Sequence, residues 1–309
     1  MKIAAMGAGG VGGYFGARLQ QAGHDVVFFA RGRHLQAIKE KGLTIESAHG
    51  NAQLTVKVYE DPREAGVVDV VLFAVKLWDT ETAAERLKPI VGEHTAVIPF
   101  QNGVESSSRL KAFFPERTVL GGSAYIGTRI KAPGVIEHSG QMARLQFGPL
   151  VPSQREMAER FLEVCRGAGI QAEVADDIVK ANWEKFVFLV GLSSATTVAR
   201  APIGVVRVDA DLRWLLEQAM RETWQVGRAR GVKLAGDFVE QRLAFADDLH
   251  ADMKASLLHD LENGGKLEAP WLCGAVARMA AESGLQAPVN RAIYAALKPY
   301  VDGSPVKAA

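Results

Sequence analysis

Apolar and polar positions divide this chain into two parts with different rhythms. Up to about residue 150, short β-branched runs alternate with helix-like stretches, the pattern of a mostly parallel sheet covered on both faces. Lys2 to Met6 reads as a short apolar strand, Val11 to Ala22 as a helix with Gly23 as its left-handed cap, and His24 to Ala30 as a second strand. Val67 to Val75 (VVDVVLFAV) has the composition of a strand buried on both sides. Asp79 is expected to cap a helix over Thr80 to Leu87, with Pro89 just beyond it. Thr95 to Phe100 predicts the next central strand, followed by the turn Gln101-Asn102-Gly103. Thr118 to Ile130, Gly134 to His138 and Arg144 to Phe147 predict further strands, antiparallel near the edge. From about Asp176 the period lengthens into helices over Asp177 to Thr197, Asp209 to Arg230, Asp237 to Leu261, Pro270 to Ser283 and Val289 to Leu297. The expected domains are therefore 1–175 and 176–309, the second all-helical, with Gly303 to Ala309 frayed.

The turn between the first strand and first helix carries chemistry. Gly7, Gly9 and Gly12 fill a G-x-G-x-x-G spacing where a helix begins, as in a dinucleotide-binding βαβ unit. A Cβ at Gly7 or Gly9 is expected to obstruct the tight turn and a pyrophosphate, and one at Gly12 to hold helix off strand. The helix N-terminus would offer its N–H groups to that anion. A site for NAD puts an acidic residue near the end of the second strand, whereas a base there suits a 2′-phosphate. Arg31 stands at that place, with Arg33 two residues on, which favours NADP(H) unless both are solvated loop charges. The fold class is thus α/β, with an N-terminal Rossmann-type dinucleotide-binding domain and a C-terminal helical domain.

Composition narrows the partners. Thirty-six basic against thirty-five acidic residues give a formal charge of +1, so no global field recruits nucleic acid or an anionic membrane, and a small molecule is expected. Cys165 and Cys273 lack metal-ligand spacing and suggest neither a disulfide framework nor a metal site. Glycines between Gly7 and Gly16 break the N-terminal apolar stretch, unlike a signal peptide. Val67 to Val75 and Phe186 to Leu192 fall short of the ~20 residues of a membrane span. The expected location is the reducing cytoplasm, and the apolar helices of the second part can pair in a homodimer or fill one core.

In an open α/β sheet, ligands sit beyond the carboxyl ends of the strands. Lys76 and Asn102 each follow a buried strand and should share the rim with the glycine turn. Lys76 can equally mark where the chain meets water, and Asn102 a favoured turn. Lys185 heads Phe186-Val187-Phe188-Leu189-Val190-Gly191-Leu192, apolar all round. Burial would lower its pKa and ease proton donation to a carbonyl, unless the side chain turns outward beside Asn182 and Glu184. Ser256 and Glu268 flank a loop, and Glu268 is also well placed to cap the next helix.

Together these segments resemble the ketopantoate reductase (2-dehydropantoate 2-reductase) family over nearly the whole chain. The similarity runs through GAGGVGGYFGARLQQAGHDVVFFARGRHLQAIKEKGL, AVKLWDT, PFQNGVE, WEKF, SLLHDLENGGKLE and APVNRAIY. It implies that Lys185 is the general acid and Glu268 the carboxylate orienting lysine and substrate. Gly7, Gly9, Gly12 and Arg31 would hold NADPH, with Lys76 and Asn102 beside cofactor and substrate, and Ser256 and Ser193 contacting the substrate. The resemblance breaks at four positions where the family carries asparagines, here Leu189, Ser193, Ile203 and Met253. A pocket short of four amides should discriminate differently. The expected activity is NADPH-dependent reduction of a 2-oxo acid, ketopantoate foremost, with a more apolar 2-oxo acid or ketone as alternative. A protein that senses NADPH without turnover is a third reading, against which the retained lysine and glutamate stand.

Overall fold

The computed structural model describes residues 1–304. It comprises two compact units, Met1–Val179 and a second that begins at Lys180.

The first unit starts with β1 (Lys2–Met6), α1 (Gly10–Gln21), β2 (Asp25–Phe29) and α2 (Gly32–Lys41). Three short strands follow, β3 (Leu43–Ser47), β4 (Ala52–Leu54) and β5 (Lys57–Tyr59), then β6 (Val68–Phe73), α3 (Thr80–Leu87), β7 (Val91–Pro99) and α4 (Ser106–Leu110). A long hairpin of β8 (Gly121–Ala132) and β9 (Val135–Gly148) leads into α5 (Arg155–Gly167) and β10 (Gln171–Val174).

Five of these strands form an all-parallel sheet in the order β5-β2-β1-β6-β7. Its two faces bury alternate side chains, because successive residues of a strand point to opposite sides. Ile3, Ala5, Val26, Phe28, Val70 and Leu72 join one apolar cluster, while Ala4, Met6, Val27, Phe29, Val71 and Phe73 join another. That accounts for the uninterrupted apolar reading of Val70 to Phe73; Asp69 is exposed and accepts from the Lys2 backbone N–H at 2.7 Å.

The expected antiparallel edge belongs to a second sheet instead, ordered β10-β9-β3-β4 with β8 paired to β9. Gly134 to His138 and Arg144 to Phe147 are two ends of the single strand β9, which turns back from β8 at Gly134 with φ 79°. α1 is shared between the sheets: Tyr14, Phe15, Ala17 and Leu19 lie in the cluster that also holds Ile136, Leu145 and Phe147. The polar interruptions of β9 hide its length from a pattern that looks for alternation.

The second unit is helical, with α6 (Ile178–Ala199) entering it, followed by α7 (Ile203–Val208), α8 (Ala210–Ala229), α9 (Phe238–Asp248), α10 (Ser256–Glu262), α11 (Cys273–Glu282) and α12 (Pro288–Leu297). Asp209 caps α8 by accepting from the N–H groups of Asp211 and Leu212 at 3.1 and 2.9 Å.

The single helix expected over Asp237 to Leu261 is two helices. Arg207 ends the first by donating to the carbonyls of Asp247 and Leu249 at 2.7 and 2.6 Å. The following segment is then drawn onto α7, where Ile203 and Gly204 donate to the carbonyls of Met253 and Ala251 at 3.0 and 2.9 Å. A side chain on Gly204 would meet Ala251 at 2.7 Å, so glycine is required for that approach. At the C-terminal end, Gly303 and Ser304 are held by the carbonyls of Tyr300 and Gly264 at 3.0 and 3.3 Å, contrary to the frayed reading. The remainder of that expected tail, from residue 305, lies outside the described residues.

Candidate functional site

The carboxyl ends of the parallel sheet are laced strand to strand. Ala8 donates to Phe29, Ala30 to Tyr59, Ala74 to Met6 and Phe100 to Phe73, at 2.8–3.1 Å. This brings the glycine turn, Arg31, Lys76 and Asn102 onto one rim, as the strand order requires.

Each glycine of the turn has its own reason. Gly7 has φ 96°, and a Cβ there would lie 2.9 Å from the Ala74 carbonyl oxygen. Gly12 would drive a Cβ to 2.3 Å from the Gly7 oxygen. Gly9 differs: its φ is −77°, and the nearest atom to an added Cβ is Ile130 Cδ1 at 4.0 Å. The protein itself does not demand glycine at 9, whereas a ligand close to the backbone would. Gly9 provides no side-chain cap to α1 either, leaving the initial N–H groups available to an anion. The cradle therefore fits a pyrophosphate.

His34, silent in the sequence reading, fastens this turn. Its Nδ1 accepts from the Gly134 backbone N–H at 3.0 Å, so Nε2 bears the proton and donates to the Ala8 carbonyl at 2.8 Å. One imidazole thus ties the glycine turn to the β8–β9 hairpin.

Arg31 precedes α2 in an extended conformation, its exposed guanidinium paired with Asp79. Asp79 was expected to cap α3, but its carboxylate makes no capping bond and is turned to Arg31 instead. Lys76 is exposed, with Nζ 5.5 Å from the centre of the Trp78 ring. Arg109 steadies this segment by donating to both Glu81 oxygens at 2.7 Å and to the Leu77 carbonyl at 2.9 Å. Those bonds hold the Glu81 carboxyl below its ordinary pKa. Gln101 joins the two loops: its Nε2 donates to the Val75 carbonyl and to Thr80 Oγ1, both at 2.9 Å. Asn102 follows it in the turn closed by Gly103, φ 84°.

The second unit carries the other candidates. Desolvation pushes the Lys185 ammonium on α6 down to about 8, against the attraction of Glu268. Glu268 is buried and does not cap the turn Ala269–Trp271 that follows it, so its capping role is set aside. Leu189 lies one helical turn after Lys185, and Ser193 one turn further, buried with an Oγ lacking a hydrogen-bond partner. Ser256 opens α10 and is exposed. Ile203 is fully buried and Met253 is 40% exposed, so only the latter offers a side chain to solvent.

Among the described residues, no group of three His, Cys, Asp or Glu is placed to hold a metal ion, and no helix is long and apolar enough to cross a membrane. Cys165 and Cys273 are buried free thiols, each pushed up to about 12 chiefly by burial.

A parallel sheet with a glycine turn after its first strand and a base after its second, followed in the chain by a helical unit with a desolvated lysine near a buried carboxylate, defines an oxidoreductase of the Rossmann-fold class. Within that class, the chain belongs to the ketopantoate reductase PanE/ApbA family, whose N-terminal pattern matches residues 3–152 and whose C-terminal pattern matches 177–301. It is 31% identical over 300 residues to the uncharacterized oxidoreductase YkpB of Bacillus subtilis, covering 97% of this chain and 99% of that one. It is 32% identical over 292 residues to the 2-dehydropantoate 2-reductase of Archaeoglobus fulgidus, covering 94% and 95%. The crystal structure of 2-dehydropantoate 2-reductase from Geobacter metallireducens is similar with a TM-score of 0.90 at 29% identity, over 96% of this chain and 99% of that one.

Proposed function

We propose that this oxidoreductase reduces the keto group of a 2-oxo acid with NADPH, and that its substrate is ketopantoate, which yields pantoate. The observation that carries the reading is Lys185, a lysine whose pKa burial brings down to about 8 while a buried glutamate keeps its charged form accessible. A structural surface lysine has no need of either influence. Relatives that carry the name 2-dehydropantoate 2-reductase support the choice of substrate.

When bound, the nicotinamide supplies a hydride to the carbonyl carbon. Gly7, Gly9 and Gly12 leave room for the cofactor's pyrophosphate, the start of α1 offers it N–H groups, and Arg31 offers a cation to the 2′-phosphate. Lys185 donates a proton from Nζ to the carbonyl oxygen as charge develops there. Glu268 holds that ammonium in place and limits its pKa depression. Lys76, Asn102, Ser256 and Ser193 bind and orient the acid, and Lys76 complements its carboxylate.

The test is NADPH oxidation with ketopantoate by wild type and Lys185→Ala. We expect the variant to lose on the order of 10²- to 10⁴-fold in kcat while still binding NADPH; full activity would remove Lys185 from the mechanism. Leu189 favours a second reading, because the resemblance implies an amide one turn beyond the lysine where this chain has a hydrocarbon. On that reading the substrate is a more apolar 2-oxo acid or ketone, and a panel of carbonyl compounds would rank it above ketopantoate.

A further inference from the structure

We infer that Asp79 is a cofactor-selecting residue which lowers the discrimination between NADPH and NADH by sharing Arg31 with the ribose 2′-substituent. The inference rests on the reductase reading above.

Arg31 stands at the end of β2, where the identity of the ribose 2′ group is read. Asp79 arrives from the loop after β6, and β2 and β6 are the two neighbours of β1. Their side chains meet as an ion pair, Arg31 Nη2 donating to Asp79 Oδ2, with Arg31 67% exposed and Asp79 24%. The carboxylate has no competing duty at the start of α3, since it makes no capping bond there.

Two opposed demands therefore fall on one guanidinium. A 2′-phosphate brought to Arg31 must either displace the carboxylate or sit beside it, and like charges on a common donor repel. A 2′-hydroxyl has the opposite experience, because an aspartate can accept its hydrogen bond as the acidic residue of an NAD site does. The pair thus carries the base suited to one cofactor and the acid suited to the other.

The measurement is the dissociation constant, without substrate, of NADPH, NADH, adenosine 2′,5′-bisphosphate and AMP, by titration calorimetry on wild type and Asp79→Asn. The amide keeps the shape and removes the charge. We expect NADPH and the bisphosphate to bind about tenfold tighter to the variant, NADH to bind no tighter, and AMP to be within about twofold of wild type. Asp79→Ser, which also removes the charge, must shift the ratio in the same direction, with unchanged thermal unfolding as the control for folding. An unchanged NADPH-to-NADH ratio in both variants overturns the role of Asp79 and leaves the reductase reading intact. Failure of wild type to bind either dinucleotide overturns the reductase reading and this inference with it.

Discussion

The backbone N–H of Ile203 donates to the carbonyl oxygen of Met253 at 3.0 Å, joining two of the four positions where the resemblance implies asparagine. Their surroundings are nevertheless unlike. Ile203 is fully buried and Met253 is 40% exposed, so restoring an amide should have opposite consequences at the two. Ile203→Asn should destabilise the protein by about 2–4 kcal/mol, from lost apolar burial and an amide without partners. Met253→Asn should be tolerated and should raise kcat/KM for ketopantoate relative to an analogue lacking the hydroxyl. Urea unfolding and paired kinetics separate the outcomes; equal stability losses would refute the distinction.

The role proposed for Lys185 carries a pH dependence. A lysine acting as general acid must hold its proton, and desolvation has brought this one's pKa down to about 8. Reduction should therefore be constant below that pH and fall about tenfold per unit above it, seen in kcat/KM for ketopantoate. Glu268→Gln removes the attraction that raises the Lys185 pKa and should move the falling limb to lower pH. A limb that stays in place would exclude Glu268 as the partner.

His34 acts on the cofactor turn without belonging to it. Because it accepts from Gly134 and donates to the Ala8 carbonyl, His34→Ala frees the turn from the hairpin. We expect NADPH binding about three- to tenfold weaker, with the lost order appearing as faster amide exchange around Ala8. His34→Gln can supply both hydrogen-bonding functions and should recover part of the affinity. Wild-type affinity in His34→Ala would show that the turn holds its shape unaided.

The stability of the helical unit has its own polar anchor. Buried Glu222 on α8 accepts from the backbone N–H groups of Val289 and Asn290 and from Asn290 Nδ2, all at 2.8 Å, at the start of α12. Glu222→Ala leaves those donors buried and should cost about 2–4 kcal/mol in urea unfolding. Leaving cofactor affinity unchanged, it would mark the segment Pro288-Val289-Asn290 as structural. A loss below about 0.5 kcal/mol would deny Glu222 that role.

Much of this arrangement was legible in the chain because local patterns encode it. Val67 to Val75 announces by composition the strand that forms over Val68–Phe73, although Val67 and Asp69 are exposed and burial on both faces begins at Val70; Gly23 announces a helix end by its handedness, and Gly7 a turn by its spacing. What escaped is what depends on partners distant in sequence. Asp79 has every local mark of a helix cap, yet a guanidinium 48 residues away claims its carboxylate. The helix expected over Asp237 to Leu261 keeps its period on paper, but Arg207 and Ile203 capture its middle through backbone carbonyls, which a side-chain pattern does not record. His34 and Gln101 escaped for the same reason. Gln101 stood in plain sight within the Q-N-G turn, and a buried amide beside a buried strand end was the available signal.

Gly9 offers a way to ask about the occupant without disturbing the scaffold. Replacing Gly7 or Gly12 forces a methyl group into the backbone at 2.9 or 2.3 Å, so any lost binding would be confounded with a deformed loop. At Gly9 the same methyl meets no atom of the described residues closer than 4.0 Å beyond its chain neighbours, at a backbone angle that alanine adopts freely. Gly9→Ala should therefore melt at the wild-type temperature while rejecting dinucleotides, giving an intact protein in which whatever depends on cofactor occupancy is switched off by a single carbon.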